Sequence, residues 1–436
     1  MEQIPTDIDS YIAGRLRDVM TAQALTIVLR AGEIAAEHGW EVYLVGGYAR
    51  DCLLKIPDYD IDISVVGDAL ELTRLLAAET SARLDIHDSF GTATLLVDAG
   101  QFDIDVVTAR RERYEQPGAL PTVDAGTILD DMARRDFTIN AMAVAVTQDG
   151  FGPFLDPHDG LLDLRAKLIR VLHDGSFQDD PTRILRAVKL AVRLGFKIEL
   201  GTLELILQAI RDDAISTVST ERVVRELLLI LGEPKAGDML VELEKLGVLR
   251  ALHPLLTWAY PDGSMGPAEE VQMSKEARRD SYLAVLGAEL AGEPEEAEAV
   301  ARLLRLSSPQ IRLLRDSAHL ATIWPQLGAD ELEPSHLYRL LQPIDTSTLE
   351  AYTRIPALSK DSVAWGRLHD YLGRLRHIKT SLNGDYLREH GVTPGPIYRR
   401  VLGALLDAKL DGKLSTRKDE ERFVEKWLAQ EARQGQ

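Results

Sequence analysis

The chain has a single cysteine, Cys52, in 436 residues. One thiol cannot close an intramolecular disulfide or build a thiolate zinc cluster. Long hydrophobic runs are also missing: none reaches the roughly 18 residues that a membrane-spanning helix requires. The opening residues, MEQIPTDIDS, lack a basic segment followed by an apolar one, so a secretion signal is not expected and the cytoplasm is. Basic residues are in deficit, with 50 Lys+Arg against 69 Asp+Glu for a net charge of −19, which taken alone argues against a nucleic-acid partner. What is present is ordinary for a globular protein: 45% hydrophobic and 27% charged residues exclude disorder of the whole chain. The length suffices for about three domains with real cores.

The charge is unevenly spread. Residues 1–350 carry 34 Lys+Arg and 58 Asp+Glu, whereas residues 351–436 carry 16 against 11. A basic end behind an acidic bulk is compatible with a polyanion held through the tail, and equally with a solvated helical surface.

Periodicity divides the chain. Residues 1–39 read as helix, with apolar residues at helical spacing and Gly39 as a stop. The runs VYLVGG, YDIDISVV, ATLLVD and FDIDVVT then read as strands, with helical patterns at 68–79 and 125–134. A small mixed sheet of about five strands is expected here. Beyond Asp174 the pattern is almost wholly helical, beginning with DPTRILRAVKLAVRLGF, for which Asp180 is the expected N-cap and Pro181 the first turn. Residues 291–299, AGEPEEAEA, read as a break. The expected division is a helical extension (1–39), an α/β head (40–174), a helical neck and body (175–290) and a helical body and tail (291–436).

The chemistry concentrates in LVGGYARDCLLKIPDYDIDISVV. Gly46 and Gly47 end a strand before a helix, an arrangement that brings backbone N–H groups close to a phosphate. Asp58, Asp60 and Asp62 alternate along the next strand and so share one face, while Ile61, Ile63 and Val65 face a core. Adjacent carboxylates repel unless a cation lies between them, and an all-oxygen set suits Mg²⁺. Spacing allows either Asp58 with Asp60 or Asp60 with Asp62. A second strand, FDIDVVTAR, repeats the pattern with Asp103 and Asp105. If the two strands pair, three carboxylates gather beside a glycine turn, the constellation of two-metal nucleotidyl transfer.

These residues resemble the class II tRNA nucleotidyltransferase and bacterial poly(A) polymerase family, within the DNA polymerase β-like nucleotidyltransferases. Four words occur in the family's order: LVGGYARD followed by DID, RRDFTINAMA (134–143), DDPTRILRAVKLAVRLGF (179–196) and STERVVRELLLIL (219–231). The resemblance implies an α+β protein: a polymerase β-like head with a small mixed sheet, then an all-helical body and tail, with nucleotide recognition by the neck and tRNA binding by the tail. It implies Asp60 and Asp62 as the metal pair and Asp105 as the third carboxylate, with Asp103 the rival. Gly46, Gly47 and Arg50 would hold the triphosphate. Arg135, Asp136 and Asn140 would lie on the nucleotide. Asp180 and Arg183 would read the incoming base, since a carboxylate accepts from the exocyclic amino group of C or A and a guanidinium donates to ring acceptors on the same edge. Arg186 and Lys189 would serve the phosphates.

Two positions depart from the family: Asp179 where it has Glu, and Lys189 where it usually has Arg. Segment 110–130 resembles the family's mobile loop, used when A follows CC. The implied activity is addition of the 3′-terminal CCA, or part of it, to tRNA from CTP and ATP, with Mg²⁺ as cofactor, the tRNA 3′ end as partner and no membrane contact. Protein partners are not implied. Poly(A) synthesis, CC-only or A-only addition, and a non-catalytic RNA-binding module are the alternatives. Single residues also have plainer readings. Arg134 could merely pair with Asp130 or Asp131, Glu221 and Arg222 could be a helix cap and ion pair, and Cys52 a core residue. The tail arginines Arg374, Arg376, Arg399 and Arg400 could grip tRNA phosphates. His173-Asp174 and His369-Asp370 resemble phosphohydrolase dyads but lack further ligands at metal-site spacing.

Overall fold

The computed structural model describes residues 7–56, 60–80, 82–87, 91–97, 102–260, 273–290, 294–355 and 362–434. The chain forms two compact units, Met1–Val223 and Val224–Gln436. Among the described residues no helix is long and apolar enough to cross a membrane.

The first unit opens with two helices, α1 (Ile8–Val19) and α2 (Ala22–His38), where the sequence suggests one. Thr21 makes the break: its backbone is extended and its hydroxyl accepts from the Ala24 N–H, 3.2 Å away, which starts a new helix. Gly39, at φ 71°, closes α2 in the left-handed region. The chain then alternates through β1 (Glu41–Val45), α3 (Gly47–Leu54), β2 (Asp60–Val66), α4 (Ala69–Glu79), β3 (Arg83–His87), β4 (Thr92–Val97) and β5 (Phe102–Thr108). A short ribbon follows, β6 (Arg110–Arg113) with β7 (Thr122–Ala125), and then α5 (Ile128–Ala133), β8 (Ala143–Thr147) and β9 (Gly150–Leu155).

The main sheet has seven strands in the order β3-β4-β5-β2-β1-β8-β9, not about five. Among the described residues only β2 and β5 run parallel; the other neighbours are antiparallel. The strands that sequence reading passed over are weak signals. β3 and β9 are edge strands, and β9 carries Gly150, Gly152 and Pro153, which an edge tolerates. β8, AVAVT, is a short apolar run without a distinguishing period.

One face of the sheet is the core. Ile61, Ile63, Val65, Ile104 and Val106 are buried there with Leu72 and Leu76 of α4 and Val28 and Ala31 of α2. On the other face Val45 and Ala143 pack against Ile128 and Met132 of α5. The N-terminal helices are thus part of this unit's packing, with α2 against β8.

After β9 come α6 (Gly160–Ala166), β10 (Leu168–Ile169), α7 (Ser176–Asp179), α8 (Arg183–Leu194), β11 (Lys197–Ile198), α9 (Leu200–Arg211) and α10 (Thr220–Leu231). The two-residue strands β10 and β11 pair in parallel, a small exception to the helical reading beyond Asp174.

The second unit is helical. Helices Lys275–Glu289, Pro294–Leu303 and Ser308–Leu327 pack on one another. The break expected at 291–299 is helical from Pro294 onward, since proline fits the first turn of a helix; residues 291–293 lie outside the described residues. The tail has its own core of Leu382, Leu387, Val401, Leu405 and Val424. Glu420, 1% exposed, is satisfied there by the Ser381 and Leu382 N–H groups and by Lys409. Of the tail arginines, Arg374 pairs with Asp370, and Arg400 pairs with Glu431 and lies over the Trp427 ring.

The close approach of α2 to β8 rests on Gly32, where an added Cβ would lie 2.7 Å from the Thr147 carbonyl oxygen and 3.0 Å from Val146 Cγ1. Gly32→Val is expected to destabilise the protein by about 1–3 kcal/mol, the usual effect of overpacking. Urea unfolding checks this, and an unchanged midpoint would show that the helix is free to move off the strand.

Candidate active site

The site starts from a glycine. Gly46 joins β1 to α3 at φ 73°, ψ −141°, outside the range comfortable for a side chain. An added Cβ would lie 2.8 Å from Asp62 Oδ2 and 3.0 Å from an Arg135 guanidinium nitrogen. The turn therefore sits directly on the Asp62 carboxylate, and only glycine leaves room for it.

Parallel pairing of β2 with β5 puts Asp60 opposite Asp103 and Asp62 opposite Asp105. Residues two apart on one strand, and partners across a ladder, share a face. Asp62, Asp103 and Asp105 thus belong to the polar face. Asp105 accepts from Thr94 Oγ1 on β4 at 2.6 Å, which fixes its orientation. Asp103 has a buried carboxylate oxygen, Oδ1, with no hydrogen-bond partner among the described residues. Asp58 and the side chain of Asp60 lie outside the described residues. Among the described residues no three Asp, Glu, His or Cys side chains form a metal-holding group. The donor chemistry is nevertheless all oxygen, with one buried carboxylate oxygen unsatisfied, and this fits a hard divalent cation.

Beside the carboxylates lies a cleft of about 500 Å³. Gly46, Gly47, Asp62, Arg135, Asp136, Asn140, Asp180, Arg183 and Arg186 all line it. Its walls hold six arginines (110, 134, 135, 183, 186 and 222) against four carboxylates (Asp62, Glu112, Asp136 and Asp180). In a chain of net charge −19 this local reversal of sign favours an anion in the cleft.

Asp136 is the hub of one wall. It takes two bonds from Arg186, at 3.1 and 2.5 Å, and one from Asn140 Nδ2 at 2.9 Å. Burial alone would raise its pKa, but Arg186, Asn140 and Arg183 outweigh it and hold the carboxyl at about 2. Arg135 and Arg134 act likewise on buried Asp131, bonding it at 2.9 and 2.6 Å and keeping it below the usual carboxylate range against the pull of burial.

Several expected residues stand apart from the cleft lining. Arg50 is buried, 5% exposed, behind it: two nitrogens bond Asp51 at 2.8 and 2.6 Å, and the third bonds Asn140 Oδ1 at 2.5 Å. It orients Asn140, and through it Asp136. Asp105 lies on the adjoining strand, and Lys189 lies further along α8; neither lines the cleft. Asp180 is not the N-cap of α8. Thr182 takes that place, because the turn at Asp180–Ile184 is closed first by short bonds, Arg183 N to Asp180 O and Ile184 N to Pro181 O. The Asp180 carboxylate instead accepts from the Thr182 N–H at 3.1 Å and its hydroxyl at 2.6 Å. Arg183, 4% exposed, is held by Ser176 Oγ at 2.6 Å and the Arg134 carbonyl at 2.8 Å.

Sequence reading missed the ribbon wall. The 110–130 segment is no simple loop: β6 and β7 pair, and Arg110, Glu112, Tyr114, Leu120 and Val123 face the cleft. Glu112 gathers Arg110 at 2.8 Å, Arg134 at 3.1 Å and the Tyr114 hydroxyl at 2.9 Å. Burial, then Glu112, pushes the Tyr114 phenol up to about 12. The alternation in RRERY was the available signal. Arg134 pairs with Asp131 and Glu112, whereas Asp130 pairs with Arg111. Arg222 does form an ion pair, and its partner is the site residue Asp180 at 3.1 Å. Cys52 is buried, and burial pushes its thiol up to about 11. A larger cavity of about 680 Å³ lies between the His173 segment and α9, lined by Arg170, His173, Glu199 and Gln208 among others, and holds none of the carboxylate constellation.

A family model described as "Poly A polymerase head domain" matches residues 42–170, and one described as "Probable RNA and SrmB- binding site of polymerase A" matches residues 195–259. An A-adding tRNA nucleotidyltransferase of Geobacter sulfurreducens is 32% identical over 90% of this chain, which spans 46% of that relative's length. An A-adding tRNA nucleotidyltransferase of Halalkalibacterium halodurans is 31% identical over 96% of this chain and 97% of its own. The solved CCA-adding enzyme of Thermotoga maritima complexed with tRNA superposes with TM-score 0.72 at 29% identity, covering 96% of this chain and 98% of that one.

The depressed Asp136 carboxyl makes a statement about acid stability. A folded-state pKa of about 2 against an ordinary 3.8 stabilises the fold fully above pH 3.8, and this contribution fades as pH falls toward 2. Asp136→Asn is expected to lose on the order of 2 kcal/mol at neutral pH. The gap between wild type and variant should close on acidification through that window; a gap that stays constant down to pH 2 in denaturant melts would overturn the assignment.

Proposed function

We propose that this chain, which belongs to the tRNA nucleotidyltransferase and bacterial poly(A) polymerase family, completes the 3′ end of tRNA by adding the terminal CCA, or part of it, from CTP and ATP. The observation that carries the reading is the cleft itself. It joins an in-register pair of carboxylate strands to an arginine-rich wall that ends in Asp180 and Arg183.

The chemistry assigns each part a task. The tRNA 3′-hydroxyl forms a bond to the nucleotide α-phosphorus as the bond to pyrophosphate breaks, and Asp105 helps to remove the hydroxyl proton. Asp60 and Asp62 would hold Mg²⁺, which when bound lowers the pKa of the attacking hydroxyl and neutralises the triphosphate. Gly46 and Gly47 bring backbone N–H groups to the phosphates, and Arg135 and Arg186 add charge. Asp180 accepts from the amino group of C or A, and Arg183 donates to the ring. G and U present the wrong pattern and leave a buried charge unpaired, at about 1–3 kcal/mol per mismatch. Side chains then do the work of a template. Restraint of Arg183 by Ser176 and Arg134 supports this role, because a fixed donor discriminates better than a mobile one.

A second reading is A addition alone, favoured because two relatives aligned over nine-tenths or more of the chain are A-adding enzymes. A 3′-end assay separates the two. With Mg²⁺, CTP and ATP, a tRNA transcript lacking its last three nucleotides should end in CCA under the first reading. Only a transcript already ending in CC should be extended under the second. Asp62→Asn should slow addition by several kcal/mol of barrier, about a thousandfold. It should leave tRNA retention in a filter-binding assay unchanged. Near-normal turnover in that variant would remove the carboxylate strands from the mechanism.

A further inference from the structure

We infer that Arg222 is a positioning residue for base selection, tying the tip of the β6–β7 connection to the Asp180 carboxylate. This rests on the base-reading role proposed above for Asp180.

Arg222 stands in the first turn of α10 and divides its guanidinium between two acceptors. One terminal nitrogen lies 3.1 Å from Asp180 Oδ1, and the other donates to the Gly118 carbonyl at 3.0 Å. Gly118 belongs to the connection between β6 and β7, more than a hundred residues away in sequence. Its N–H donates to the Gln178 carbonyl at 3.0 Å, in the helix that leads to Asp180. Gly118 has φ +71°, and an added Cβ would meet Thr217 Oγ1 at 2.4 Å and the Thr217 carbonyl oxygen at 2.7 Å. Thr217 cannot readily yield, since its hydroxyl is already bonded to the Ala214 carbonyl at 2.7 Å. The tip is thus pressed onto the turn before α10 with no room for a side chain.

The consequence lies in how the two Asp180 oxygens are used. Oδ1 accepts the Thr182 N–H and the Thr182 hydroxyl and forms the ion pair with Arg222. Oδ2 accepts no hydrogen bond among the described residues, with Arg186 its cationic neighbour at 3.9 Å. Saturating one oxygen fixes the carboxylate plane and leaves the other to accept from a base. A planar guanidinium can hold a carbonyl and a carboxylate together, whereas a lysine ammonium offers no such fork. Lifting the tip from the neck removes one of the two acceptors that aim Arg222, so the position of the connection and the orientation of Asp180 are coupled.

The test is nucleotide selectivity, measured as kcat/KM for ATP over kcat/KM for GTP on a tRNA ending in CC. Arg222→Lys is expected to lower this ratio about tenfold, as for a residue coupled through one hydrogen-bond network. Gly118→Val leaves Arg222 in place but displaces the tip, and should lower the ratio similarly. The double variant should be no worse than either alone. Thermal melts confirm that each variant is folded, and lost stability without lost selectivity would overturn the inference by showing a purely structural role. An unchanged ratio in either single variant also overturns it. Asp180→Ala distinguishes the two levels. If it keeps full selectivity, the base-reading proposal itself fails; if it loses selectivity while Arg222→Lys and Gly118→Val retain it, only the coupling fails.

Discussion

The parallel pairing of β2 with β5 is the constraint on which the site depends. Among the described residues it is the only parallel contact in a sheet otherwise antiparallel, and its register sets Asp60 against Asp103 and Asp62 against Asp105. A slip by one residue would turn these carboxylates into the core and expose Ile61, Ile63 and Ile104. The apolar face, buried against α4 and α2, forbids that slip. Hydrophobic burial on one side of the sheet thereby holds like charges together on the other, where they repel in the absence of a cation.

That repulsion is answered by geometry nearby. The Gly46 turn lets Asp62 and an Arg135 nitrogen both approach the backbone to distances no side chain would allow. Arg135 is in turn bound to Asp131, and the next residue, Asp136, to Arg186 and Asn140. Arg50, buried behind the cleft, completes this chain by fixing Asn140. The wall is therefore a network of paired charges with an excess of arginine, preorganised before any ligand arrives. Such preorganisation is what makes charge stabilisation effective at a reacting phosphate, because no dipoles need reorient during the reaction.

The same network holds the residues proposed to read the base. Asp180 and Arg183 are each restrained by neighbours from other elements: Thr182 and Arg222 for the first, Ser176 and the Arg134 backbone for the second. The ribbon β6–β7 supplies a wall of the same cleft.

Much of this was legible in the amino-acid order. Alternating aspartates with isoleucines announce a strand with one charged and one buried face, because side chains alternate along β structure whatever the fold. The glycine pair, the amphipathic α8 and the helical remainder are equally local, and the four ordered words point to the family. Other features were decided only by tertiary structure. Edge strands such as β9 carry little period of their own and exist because a neighbour offers a ladder. Arg50 reads in sequence as a triphosphate residue, and the fold buries it beside Asp51 and Asn140. Arg222 reads in sequence as an ion-pair residue without a named partner, and its partners proved to be Asp180 and Gly118. The reason is common to all three. A sequence specifies which groups a residue can bond, whereas only the folded chain, by bringing distant segments within 3 Å, decides which of them it does.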